Sequence, residues 1–280
     1  MEPMRFVSLE YEGVRYAAAV RGEWAVPLEG VSELGRQTPL EVLRAPRLRA
    51  DEPIPLARAR LLPVVPEPRK IVCVGLNYLS HVDETRRELP GYPVLFTKFA
   101  SSLIAHGDAV TLPPESEQVD YEAELAVVIG APARRVPRDR AYEVIAGYTV
   151  ANDVTMRDYQ YKTHQWLQGK AWDASTPVGP ELVTHDEIGE RIGSLDISLS
   201  LNGEVLQSSN TSKLVFDIPT LVATVSEFTT LLPGDVILTG TPGGVGFRRD
   251  PQVFLRPGDK VAVSIEGIGR LENTVAAEHA

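Results

Sequence analysis

Two glutamates one residue apart, Glu122 and Glu124 in the run DYEAELAVVIG, are the first residues here whose types and spacing could do chemistry. If the run is extended, its two-residue period puts both carboxylates on one face, their side-chain bases about 6–7 Å apart. Oxygens at that separation can converge on a hard cation such as Mg²⁺ or Mn²⁺, with Ca²⁺ also admissible. A solvated strand face accounts for the same letters, since glutamate alternating with apolar residues is common on half-exposed sheets. Asp153, at the polar end of VANDVT, is a candidate third ligand, although aspartate equally serves turns and helix caps. Arg157 and Gln160 follow, three apart and so on one helical face, the arginine suited to a carboxylate and the glutamine to a carbonyl. A surface helix would carry the same pair.

The segment GLNYLSHVDE holds His81 and Glu84, spaced so that on a helix the carboxylate can orient the imidazole and raise its basicity. Such a pair can activate water as a general base, and an ordinary surface contact would look no different. Lys170, in QGKAWD, stands after a glycine and among aromatic residues, a setting for an active-site cation. The loop LTGTPGGVG is not a phosphate-binding loop, because no Gly-Lys-Ser/Thr follows and no helix pattern opens there. It suits a tight backbone loop lining a pocket, with the Thr241 hydroxyl as donor. Cys73 lies inside an apolar strand and is expected to be inert core. His106, His164, His185 and His279 have no usable partner spacing.

The elements that must position these residues are mostly strands. Arg5–Tyr11, Val14–Val20, Trp24–Leu28, Lys70–Gly75, Asp120–Ile129, Gly147–Thr155, Val236–Leu238, Lys260–Ile265 and Arg270–Val275 read as strands. Leu195–Leu206 reads as a hairpin turning at Asn202-Gly203. Short helices are expected at Leu40–Arg44 and Leu79–Leu89, and an amphipathic one at Pro219–Leu232. Helices and strands do not alternate regularly, which disfavours doubly wound and barrel α/β folds; a β-rich mixed α+β fold fits. Pro53, Pro55, Pro63, Pro66 and Pro68 mark a boundary between a small N-terminal domain, 1–65, and a larger domain, 66–280.

Composition narrows the function. The 280 residues carry 28 Lys plus Arg against 38 Asp plus Glu, a net charge of −10, which disfavours nucleic acid as a partner. The single cysteine excludes a disulfide framework or a CxxC metal motif. No apolar run reaches the ~18 residues of a membrane span, and the N-terminus shows no signal-peptide pattern. A cytoplasmic enzyme with no membrane partner is expected.

Taken in order, GLNYLSHVDE, DYEAELAVVIG, NDVTMRDYQ, QGKAWDASTPVGP and LTGTPGGVG resemble the fumarylacetoacetate hydrolase family from about Arg69 to about Thr274. The resemblance implies a β-sandwich roll preceded by a small variable domain, usually dimeric. By motif position it implies metal ligation by Glu122, Glu124 and Asp153, a water-activating dyad of His81 and Glu84 on a lid, substrate binding by Arg157, Gln160 and Thr241, and a catalytic Lys170. Asn77 stands where fumarylacetoacetases proper have an additional aspartate, so the chain looks more like the acylpyruvase and oxaloacetate decarboxylase branch. The implied activity is divalent-metal-dependent hydrolysis of a C–C bond in an acylpyruvate-like 2,4-dioxo acid, releasing pyruvate through a metal-stabilised enolate. Oxaloacetate decarboxylation, or an isomerase, decarboxylase or hydratase step of aromatic catabolism, is the alternative.

Overall fold

Alternating apolar residues build two sheets whose facing sides form the main core. The computed structural model describes residues 4–86 and 88–278. The larger sheet has 12 strands, and its spine runs in the order Ile54–Pro55, Trp24–Pro27, Val14–Arg21, Arg5–Tyr11, Thr176–Thr184, Ile145–Asn152, Ala123–Ile129, Val236–Leu238, Ile71–Gly75 and Val94–Lys98. Five strands form the second sheet: Glu204–Asn210, Asp196–Leu201, Lys260–Ile265, Gly269–Ala277 and Ala109–Leu112. Leu125, Val127, Tyr148 and Val150 of the first sheet share a core with Ile197, Leu199, Val263 and Leu271 of the second. This is the strand-rich mixed α+β fold that the periodicity predicts, laid out as the sandwich that the resemblance implies.

The strand Ala123–Ile129 is buried on both faces. Leu125, Val127 and Ile129 enter the main core, whereas Ala126 and Val128 enter a second one with Leu34, Leu40, Val65, Cys73 and Leu238. By the two-residue period, Glu122 and Glu124 continue the second face beyond Ala126, at the end where the sheet opens into a cleft. The alternative of a solvated strand face is therefore excluded, since Glu122 and Glu124 are both buried. The predicted strand Asp120–Ile129 is also interrupted: Val119–Asp120 pairs with Thr155–Met156, and the ladder resumes only at Ala123. The Asp120 carboxylate causes the break by accepting the Tyr121 N–H at 2.8 Å in place of a ladder bond.

The N-terminal strands extend the large sheet directly, because Arg5 and Phe6 pair with Val183 and Leu182. The proline-rich stretch is held from both sides: Leu62 N–H donates to the Ser8 carbonyl and Val64 N–H to the Val178 carbonyl. The hairpin turns at Asn202-Gly203 as predicted, both residues with positive φ, and joins Asp196–Leu201 to Glu204–Asn210. The amphipathic helix spans Ile218–Phe228; Asp217 caps its N-terminus by accepting the Thr220 N–H. The predicted helix Leu79–Leu89 stops at Thr85, because Arg86 turns left-handed at φ 53°. His279 lies outside the described residues.

Candidate active site

Glu122, Glu124 and Asp153 are all buried, and each offers an oxygen within 4.8 Å of the others. Backbone pairing makes the arrangement: the Asp153 N–H donates to the Glu122 carbonyl, and the Glu122 N–H donates to Asn152 Oδ1 at 2.9 Å. Two of the three carboxylates, Glu122 and Asp153, are held by buried cations. Lys170 Nζ lies 2.8 Å from Glu122 Oε2 and 2.7 Å from Asp153 Oδ2. Lys98 Nζ takes the other Asp153 oxygen at 2.6 Å. Arg157 bridges Glu122 at 2.7 Å and Asp120 at 2.8 Å.

The charges are unequally satisfied. Burial opposes ionisation of Glu122, but Lys170 and Arg157 outweigh it and lower the pKa to about 2. Glu124 is the reverse case: burial, then Asp153 and Glu122, push its carboxyl well above the usual range. Its Oε2 accepts the Gly240 N–H at 2.7 Å, and among the described residues no cation pairs with it. Burial disfavours the cationic forms of Lys170 and Arg157, yet their carboxylate partners raise both pKa values above normal. Asp120, Glu122, Glu124 and Asp153 thus face Lys98, Arg157 and Lys170, four acids against three cations. Hard oxygen donors, an excess of negative charge and an unpaired third carboxylate fit a divalent cation.

The short helix Leu79–Thr85 brings the dyad to this centre. His81 Nδ1 and Glu84 Oε1 are 2.6 Å apart, which assigns the proton to Nδ1 and leaves Nε2 as the basic nitrogen. His81 is near enough to Glu122 to lower its pKa. Glu84 also accepts the Gly244 N–H at 2.8 Å, and Ser80 Oγ accepts the Gly243 N–H at 3.0 Å, so the glycine loop clamps the helix. Gly240 allows the contact beneath: its φ is +102°, and a Cβ there would sit 2.7 Å from that of Asn77. Asn77 is buried and structural, donating to the Phe216 and Thr239 carbonyls and accepting the Phe216 N–H.

One cleft is lined by His81, Glu122, Glu124, Arg157, Gln160, Lys170 and Thr241, together with Phe96, Trp166, Phe247 and Arg248. Eight of the nine site residues singled out from the sequence therefore line it or, for Glu84, hold one that does. The ninth, Asp153, lies just behind, bound to Lys170. Arg157 and Gln160 do share a helical turn, Arg157–Gln160, and bond to each other at 3.0 Å. Gly169 sits where a Cβ would come within 2.5 Å of Gln160 Cα, which lets the Lys170 backbone close onto that turn. Thr241 Oγ1 accepts from Gln207 Nε2 at 2.9 Å.

Four residues escaped the sequence reading: Asp120, Lys98, Asn152 and Gln207. Asp120 accepts the Gly246 and Phe247 N–H groups as well as Arg157, so it ties the glycine loop to the centre. Gln207 Oε1 accepts the Ala123 N–H and so fixes the start of the glutamate strand. Cys73 is fully buried, and burial followed by the nearby Asp153 charge raises its thiol pKa. His106 accepts the Glu272 N–H, and His185 stacks on Tyr142, both away from the cleft.

A cleft that joins a buried carboxylate triad to a His–Glu pair on a two-sheet scaffold defines a class, and comparison with known proteins agrees. The family described as fumarylacetoacetate (FAA) hydrolase C-terminal matches residues 70–276, and the chain belongs to it. It is 46% identical over 254 residues to a mitochondrial oxaloacetate tautomerase of Rattus norvegicus, covering 90% of this chain and 80% of that one. The corresponding human protein, also an oxaloacetate tautomerase, is 47% identical over 224 residues, 79% of this chain and 71% of its own. Among solved structures, the chain matches a 5-carboxymethyl-2-hydroxymuconate delta-isomerase from Mycobacterium smegmatis with a TM-score of 0.84 at 35% identity, over 98% of this chain and all of that one. A 2-hydroxyhepta-2,4-diene-1,7-dioate isomerase from Mycobacterium marinum gives 0.83 at 33% identity, over 99% of this chain and 100% of that one. Among the described residues no helix is long and apolar enough to cross a membrane.

Proposed function

We propose that this enzyme interconverts the keto and enol forms of a 2-oxo dicarboxylate of the oxaloacetate type. The observation that carries the reading is that a base oriented by hydrogen bonding, His81 on Glu84, shares one cleft with buried carboxylates and Lys170. Enolisation needs that pairing: a base for the proton on the carbon next to the carbonyl, and positive charge where the carbonyl oxygen becomes negative. The names of the relatives, oxaloacetate tautomerases and dienedioate isomerases, support the same chemistry.

His81 Nε2 takes the C3 proton, and the electron pair of that C–H bond becomes the C2=C3 double bond. Glu84 holds the ring during transfer and stabilises the imidazolium. The displaced π-electrons rest on the C2 oxygen, toward which Lys170 offers its third N–H; its other two are engaged by Glu122 and Asp153. The C2 oxygen then takes the proton back from the His81 imidazolium, which gives the enol and restores the neutral base; the reverse sequence regenerates the keto form, so the reaction is redox-neutral and needs no co-reactant. Glu122, Glu124 and Asp153 would hold a divalent cation, Mg²⁺ or Mn²⁺, which supplies Lewis-acid polarisation of the substrate oxygens when bound. Phe96, Trp166 and Phe247 wall the cleft and limit water around the transferred proton. The excess negative charge, overbalanced once a dication binds, favours an anionic substrate.

Acylpyruvate hydrolysis and oxaloacetate decarboxylation draw on the same enolate, so the test runs them together. Purified protein is given oxaloacetate and acetylpyruvate with Mg²⁺, Mn²⁺ or EDTA, while enol absorbance, pyruvate, acetate and CO₂ are followed. Metal-dependent approach to keto–enol equilibrium without CO₂, lost ~10²–10⁴-fold in His81→Asn, is the expected result. Acetate from acetylpyruvate would return the assignment to the C–C hydrolase, and CO₂ from oxaloacetate to the decarboxylase. The homodimer and the cytoplasmic location expected from the sequence belong to this proposal as well, to be tested by light scattering and cell fractionation; the curated relatives are mitochondrial by name.

A further inference from the structure

Among the described residues the cleft is lined by four basic side chains, and three are already engaged by acids: His81 by Glu84, Lys170 by Glu122 and Asp153, and Arg157 by Asp120 and Glu122. Arg248 is the fourth. It lines the cleft, and among the described residues no ion pair or hydrogen bond engages its guanidinium. Its position is nonetheless built. The turn Gly246–Arg248 hangs on Asp120, which accepts the Gly246 and Phe247 N–H groups at 2.8 and 3.0 Å. The guanidinium lies over the Phe247 ring, 5.0 Å from its centroid, and Tyr161 stacks on the same ring at 5.5 Å. A guanidinium resting on an aromatic face keeps its N–H edge available for a planar anion.

We infer that Arg248 binds the distal carboxylate of the substrate and makes the enzyme selective for dicarboxylates. The inference rests on the oxo-acid reading above and assigns the end of the substrate remote from the reacting carbonyl. Arg157, whose charge is consumed by Asp120 and Glu122, is poorly placed to supply a second full charge to a ligand. A charge-assisted contact at an open cleft mouth is worth about tenfold in affinity.

The test compares oxaloacetate with its 4-monomethyl ester, in which the distal charge is removed by a methyl group, on wild type, Arg248→Gln and Arg248→Lys. Arg248→Gln is expected to lower the ratio of kcat/KM for oxaloacetate over the ester ~10-fold, through KM, with Arg248→Lys recovering part of it. An unchanged ratio in Arg248→Gln overturns the inference while leaving the tautomerase reading intact. If wild type turns over neither compound, the tautomerase reading fails by itself. Tryptophan quenching, with Trp166 in the cleft, then measures the same ratio as dissociation constants: loss of preference for the diacid in Arg248→Gln supports the carboxylate contact, and equal preference overturns it.

Discussion

Lys98 and Asp153 form an ion pair of 2.6 Å in which neither side chain reaches solvent. The lysine also donates to the Val154 carbonyl at 3.0 Å, so it fixes both the charge and the backbone of the Asp153 turn. Lys98→Met removes one of three cations from a buried cluster of four acids. The expected cost is about 3–5 kcal/mol, that of stranding a buried charge. Urea unfolding at neutral pH measures it, and a loss below about 1 kcal/mol would show that Lys170 alone suffices for Asp153.

Glu124 should behave oppositely. Its ionised form is disfavoured by burial and by its acidic neighbours, and glutamine keeps the oxygen that accepts the Gly240 N–H. Glu124→Gln is therefore expected to melt no lower than wild type in EDTA, yet to lose the rise that Mg²⁺ or Mn²⁺ gives wild type. At ~100 times the dissociation constant that rise corresponds to about 2.7 kcal/mol. A variant that retains the metal-induced rise would remove Glu124 from the ligand set.

Glu84 acts through His81 and through the glycine loop, so two variants separate these roles. Glu84→Gln keeps an acceptor for the Gly244 N–H but weakens the support for imidazolium. Its kcat is expected to fall ~10–100-fold with KM little changed. Glu84→Ala also frees the loop and should raise KM. Steady-state kinetics of the pair, showing the same KM for both, would argue against the clamp.

His185 supplies a pH dependence remote from the cleft. Burial, only partly offset by Asp186, lowers its pKa below the ordinary histidine value. Its Nδ1 and Tyr148 Oη are hydrogen-bonded at 2.9 Å. The unfolded chain therefore binds more protons, and this contribution to stability is present above about pH 6.5 and lost as pH falls through the folded-state value. Melting temperatures between about pH 7.5 and about pH 5.5 should decline less steeply in His185→Gln than in wild type. Parallel slopes would refute the assignment.

The residues of the candidate site were legible where one local pattern carried them. Glu122 and Glu124 show in a two-residue period, and His81 and Glu84 in a three-residue one. Lys98 was not, because its partner Asp153 lies 55 residues further along and a lysine ending a short apolar strand is unremarkable by itself. Asp120 was missed for a similar reason, since Arg157 is 37 residues away. The same nonlocality hid the burial of the glutamates: their alternation matches a solvated strand until the cations that neutralise them arrive from other elements. Strand positions and the Asn202-Gly203 turn were readable because both are set by neighbours in sequence. The break at Tyr121 was not, because a side chain there replaces a backbone partner.

The joining of the first strand to the large sheet has a consequence for synthesis. Arg5 meets Glu181 across 176 residues of sequence. At the ~5–20 residues per second of translation, roughly 10–35 s pass before the partner strand emerges from the ribosome. During that interval the hairpins from Arg5 to Pro27 present an unpaired edge and an uncovered Phe6. Such an edge is a template for pairing with another nascent chain. Soluble yield should therefore depend on how quickly the middle of the message is read and on holding chaperones that shield the first strand meanwhile.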